Sequence, residues 1–247
     1  MSGELIRAQL PADSLYEDTG SMTDYAHIGF NKNTDALVIA YKDVWHQVQD
    51  FDHDGLNNIS TSDLANNRVI FGSTAVYSIS FLTASDVAGA PAVFTFDAFD
   101  VSQTTVGITA ITKANPGVVE TDAAHNLIAG DFVKITGCTT MTEPNDKVWI
   151  VGTVADTTHF EIHDAEDVNM DSSGWGVHDA GTGDIAEALR SCGHTENKYT
   201  NGVLDSKAAP EHPHAAILGD AIELYARNRT NNGNLTMENG CLIIKRW

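Results

Sequence analysis

The chain is poor in positive charge. Fourteen lysines and arginines stand against 34 aspartates and glutamates, a net charge of −20 over 247 residues. A surface of that sign repels phosphate backbones and anionic headgroups, which argues against sequence-independent nucleic-acid binding and against membrane-surface binding. Cysteine is nearly absent. Cys138, Cys192 and Cys241 are odd in number and far apart, so neither a disulfide framework nor a zinc spacing emerges, and buried free thiols are expected. No apolar run approaches ~20 residues, so no helical membrane span is expected. Met1–Leu15 lacks the apolar segment of a secretory signal. Internal repeats are missing, which argues against solenoids and repeat-built fibres.

What the chain has in quantity is period-two alternation. After the Gly219-Asp220 turn, Ile222, Leu224 and Ala226 alternate with Glu223, Tyr225 and Arg227. That is the pattern of a strand with one face in a core. The first set is expected to fill a sandwich, and the second to lie on an outer face covered by a neighbouring subunit. Over Ala75–Leu82, Tyr77, Ile79 and Phe81 oppose Val76, Ser78, Ser80 and Leu82; over Ala92–Phe99, Phe94 and Phe96 oppose Val93, Thr95 and Asp97. Strands are also expected over 24–30 and 36–41, joined as a hairpin through Asn31–Asp35 and extended by 44–48. Others are expected over 68–71, 235–237 and 241–247. Helix signals are nearly absent, and the fold class expected is all-β. Residues 1–22 read as a polar N-terminal arm too short to fold alone, with Leu5, Ile6 and Leu10 as the apolar residues through which it would attach to a partner.

Two parts of the chain resemble known families. Tyr77-Ser-Ile-Ser-Phe81, followed much later by Leu218-Gly-Asp-Ala-Ile-Glu-Leu224 and an apolar closing strand, resembles the jelly roll of the tumour-necrosis-factor and complement globular-head superfamily. The resemblance implies an antiparallel jelly-roll sandwich over residues 23–106 and 184–247. It implies Tyr77, Ile79, Phe81, Gly219, Asp220, Ile222, Leu224 and Tyr225 as the core and trimer signature, and assembly as a homotrimer. Between these halves lie Ile108-Thr-Ala-Ile-Thr-Lys-Ala-Asn-Pro116, His125-Asn-Leu-Ile-Ala-Gly-Asp131, Ile135-Thr-Gly137, Met141-Thr-Glu-Pro-Asn145 and Thr157-Thr-His-Phe-Glu-Ile162. They resemble the small β-barrel module related to the first catalytic-cysteine half-domain of ubiquitin-activating enzymes, a module spread through tailed-phage structural proteins. Residues 107–183 are therefore expected to form an inserted β-barrel domain. Gly117, Gly130 and Gly137 would sit at its turns, Asp131 would bond turn amides, and Val133, Ile135, Val148, Ile150, Phe160 and Ile162 would fill its core.

Little in the chain points to chemistry. Asp50, Asp52 and Asp54 have the alternate-position carboxylates that open a calcium loop, but Thr61 stands where a bidentate Glu should close it, so an acidic turn is the expected reading. His212-Pro213-His214 has no second ligand cluster nearby in sequence. Cys138 lies inside the module without a nucleotide-binding loop, and no Gly-x-Ser-x-Gly or ordered triad is present. No enzyme activity and no cofactor are expected. The resemblances imply a tailed-phage virion structural protein made in the host bacterial cytoplasm. Its expected role is a capsid decoration, or cement, protein that binds the major capsid protein as a homotrimer on the capsid surface. The alternative is a receptor-binding head of a tail fibre or head spike that recognises a host surface glycan or protein. About twenty residues precede the first expected strand, too few for a fibre shaft. That favours cement.

Overall fold

Strand pairing sorts the chain into two facing sheets and a closed barrel. The computed structural model describes residues 25–31, 36–55, 57, 59–87, 91–190, 195–199 and 205–246. Among them the only helical element is a three-residue 3-10 turn, Leu64–Asn66. The first sheet runs β15 (Asp205–Ala216), β7 (Ala75–Val87), β17 (Leu235–Arg246), β1 (Tyr25–Asn31) and β4 (His53–Asp54), with β2 (Ala36–Leu37) paired to β17. Facing it are β14 (Thr195–Tyr199), β8 (Ala92–Ile111), β16 (Ala221–Asn228), β6 (Arg68–Phe71) and β5 (Ser60–Asp63). The orders β1-β17-β7-β15 and β6-β16-β8-β14 are those of an antiparallel jelly roll.

The alternation explains the sandwich core. Tyr77, Ile79 and Phe81 of β7 meet Phe94 and Phe96 of β8 and Ile222, Leu224 and Ala226 of β16, all buried in one cluster. Gly219 turns the chain into β16 at φ +91°, a conformation that favours glycine. The Phe71 N–H then donates to the Asp220 carbonyl at 2.8 Å.

β8 is 20 residues long and leaves the sandwich without a break. Its second half pairs with β9 (Val118–Thr121) and β13 (Asp184–Arg190), Val106 lying opposite Ile185. Through β12 (His159–His163), β11 (Lys147–Val154) and β10 (Phe132–Thr136) the ring returns to β13 and closes a six-stranded antiparallel barrel. Gly130 and Gly137 hold positive φ, and Asp131 Oδ2 accepts the Ile128 N–H at 2.7 Å, as the turn chemistry predicts.

Four expectations need correction. Among the described residues β1 and β2 do not pair with each other as a 24–41 hairpin requires: β1 pairs with β17 along seven residues, and β2 pairs with β17 as well. The C-terminal strand offers β1 a longer ladder than a two-residue neighbour could. Residues 44–48 do not extend that hairpin; β3 (Trp45–Gln47) is laced between β11 and β16. The strands expected at 235–237 and 241–247 are one strand, β17, with a register shift between Met237 and Asn239. In β11, Trp149 and Val151 fill the barrel, whereas Val148 points to the sandwich and Ile150 is half-buried. Four consecutive apolar residues carry no parity of their own, so packing chose the phase. The arm 1–22, with Leu5, Ile6 and Leu10, lies outside the described residues.

Candidate functional site

The second face of β16 makes the seam of the molecule. Glu223, Tyr225 and Arg227 were expected on an outer face covered by another subunit; they are 0%, 0% and 8% exposed within the single chain. The barrel of the same chain covers them. Trp45, Phe99, Val101, Val148, Ala186, Ala188 and Tyr225 form a core of their own, with Phe132 packed against it. Phe99 sits edge-on to Trp45, Phe132 and Tyr225 at ring separations of 5.5, 5.4 and 5.3 Å. Alternation revealed that this face was not in the sandwich core, and nothing local said what would cover it.

A polar network crosses the seam. Lys134 Nζ of the barrel lies 2.6 Å from Glu223 Oε2 of the sandwich, and the Tyr225 hydroxyl donates to the same oxygen at 2.6 Å. Lys134 also reaches Gln47 Oε1 at 3.4 Å. Burial and the adjacent carboxylate push the Tyr225 hydroxyl well above its ordinary pKa, so it stays a donor. The Arg227 guanidinium lies over the Trp45 ring, 4.8 Å from its centroid, and donates to Glu166 at 2.8 Å. These contacts tie the two modules together in one orientation.

Where β3 leaves the seam, a cleft of about 400 Å³ opens between the modules. His46, Gln47, Gln49 and Asp50 line it from β3 and the segment that follows. His46 Nδ1 donates to the Val44 carbonyl at 2.9 Å, and Nε2 accepts the Ala40 N–H at 3.2 Å. Only the neutral ring serves both partners, and burial pulls its pKa down to about 3. The unfolded chain therefore takes up this proton below about pH 6.5 while the folded chain refuses it until about pH 3. The stability His46 supports is complete above pH 6.5 and is lost as pH falls, by about 1.4 kcal/mol per unit across that window. His46→Gln is expected to flatten the acid limb of a urea-stability profile measured from pH 7 to 4. An unchanged slope would remove His46 as its source.

The other sequence candidates do not converge. His53 Nδ1 lies 2.6 Å from Asp52, and Asp54 accepts from Ser62 Oγ at 2.8 Å and Asn57 Nδ2 at 3.3 Å. The Ser62 bond leads the forces that hold the Asp54 carboxyl below its ordinary range. Asp50 lines the cleft instead. Among the described residues no group of three or more His, Cys, Asp or Glu side chains is placed to hold a metal. His214 Nε2 meets Asp100 at 2.6 Å, linking the two sheets, with its ring stacked on Phe71. Burial pushes the Cys138 thiol up to about 11 and raises Cys241 as well, so both stay protonated at neutral pH.

The outer face of the first sheet is the counterpart of the seam. Gly29, Cys241, Leu82 and Ala208 lie in one row across four strands, and His27, Ile243 and Ser80 in the next. Val76 beyond them is 46% exposed. No third layer is stacked on this sheet among the described residues. These rows hold no carboxylate, in a chain of net charge −20.

The chain matches no protein-family model and no curated protein sequence. No helix among the described residues is long and apolar enough to cross a membrane.

Proposed function

We propose that this chain is a non-enzymatic structural protein of a tailed-phage virion, a cement protein that binds the assembled head as a homotrimer and stabilises it. The observation that carries the reading is the asymmetry of the sandwich. One outer face is closed by the chain's own barrel, while the other presents Leu82, Ile243, Cys241 and Ala208 beside His27 and Ser80, with Leu82 and Ile243 half-buried and no acid in their rows. A patch of that composition on a strongly acidic molecule marks an association surface. Self-association there leaves the barrels on the outside of the trimer. Of the residues named for trimer and core, Tyr77, Ile79, Phe81, Ile222 and Leu224 fill the sandwich and Tyr225 fills the seam; the contact falls instead to Leu82 and Ile243, which were not among them.

The mechanism is mass action. A ligand of the assembled shell alone stabilises it in proportion to its occupancy, and three linked contacts act at high effective concentration. The N-terminal arm, with Leu5, Ile6 and Leu10, supplies the contact to the major capsid protein. Deleting residues 1–20 is expected to leave folding and self-association intact and to abolish co-sedimentation with phage heads. Retained binding would remove the arm from the attachment, and labelled antibody found on tails rather than heads would overturn the cement reading.

A further inference from the structure

We propose that the cleft between barrel and sandwich is a binding site for a neutral saccharide. Its contributors differ in chemistry. The sandwich side provides Leu37, Val38 and Met237; the barrel provides Asn145, Asp146 and Lys147. A sugar ring has the same two-sidedness, a C–H face and a hydroxyl edge. The volume of about 400 Å³ and the position between two modules are both ordinary for a small-ligand site.

Lys147 has donors to spare. Its ammonium donates to the Asn145 carbonyl at 3.0 Å, and no carboxylate among the described residues lies within ion-pair distance of it. An ammonium has three donors, so two remain for ligand hydroxyls. Burial pulls its pKa down to about 8, against the Asp146 and Glu143 carboxylates nearby, which favour the charged form. Asp146 and Asp50 bring carboxylate acceptors for hydroxyl protons, and the same charges disfavour an anionic ligand. His46 offers no hydrogen bond, because both its nitrogens are taken. Gln47 forms a fixed floor: its Nε2 donates to the Asn66 carbonyl at 2.9 Å and its Oε1 faces Lys134 at 3.4 Å. A floor held from behind does not have to be ordered when the ligand arrives.

This inference stands on the seam and not on the open sheet, so its failure leaves the cement reading untouched. The test is a titration of the full chain with glucose, galactose, N-acetylglucosamine and their disaccharides, with glucuronic acid as the anionic comparison, followed by amide chemical shifts. Saturable shifts at residues 36–38, 46–50 and 142–147 with a neutral sugar are expected. Lys147→Met and Val38→Asp should each weaken that binding about tenfold or more. Val38 is 62% exposed, so Val38→Asp keeps the test valid should Lys147→Met fail to fold. No saturable shift with any neutral sugar would overturn the proposal. So would shifts confined to other surfaces, affinity unchanged in both variants, or glucuronic acid as the sole binder.

Discussion

Lys134→Met is expected to destabilise the protein by about 3–5 kcal/mol, because it strands the Glu223 carboxylate in a site with no exposure. In a domain of this size that lowers the melting temperature by roughly 6–20 °C. The cost is set by what remains after the change. Glu223 Oε2 keeps the Tyr225 hydroxyl, but Oε1 already has no hydrogen-bond partner, and no other cation among the described residues lies within ion-pair distance of the charge. Adding Glu223→Gln removes the charge and keeps an acceptor for Tyr225, so the double variant should recover most of the loss. Glu223→Gln alone should be damaging, since it leaves the Lys134 ammonium facing only neutral acceptors. A double-mutant cycle read by urea unfolding measures the coupling directly. A loss below about 1 kcal/mol for Lys134→Met, the range of an exposed pair, would mean the seam is wet. The barrel would then not be docked as described.

Leu82→Asp is expected to turn a trimer into a monomer. The wild-type chain should sediment as a trimer at micromolar concentration, and the variant at one third of that mass with an unchanged circular dichroism spectrum. Leu82 points away from the sandwich core, so the substitution leaves Tyr77, Ile79 and Phe81 in place. At the centre of a packed interface an unpaired carboxylate costs several kcal/mol, and the symmetry of the assembly repeats the penalty in every copy. Association should weaken by about a hundredfold or more. Ile243→Asp, half-buried in the next row, should act alike. A wild-type chain that sediments cleanly as a monomer would remove the self-association on which the cement reading depends. A Leu82→Asp variant that stays trimeric would move the interface to another surface.

Much of this molecule was legible in one dimension. Val76 through Leu82 alternate so regularly that the buried set Tyr77, Ile79 and Phe81 could be named before any coordinate. The turns at Gly130, Gly137 and Gly219 followed from glycine's access to positive φ. The seam was legible only in its parity. Glu223, Tyr225 and Arg227 look like a solvated or subunit-covered face because two of the three carry charge. Their partners, Lys134, Trp45 and Glu166, lie far away along the chain. The cleft left no local signal, since it is assembled from five separate stretches, none of which is a motif.

The division has one physical cause. Side-chain alternation and turn chemistry are properties of neighbouring residues, so the sequence by itself determined that the chain is all-β and which residues of β7, β8 and β16 share a face. Which strand pairs with which, and what lies on the far side of a face, depend on ladders closed between distant segments. The long register of β17 took β1 away from its neighbour, and a barrel growing out of β8 covered the second face of β16. Packing energy is summed over such non-local contacts, and only the tertiary structure decided them.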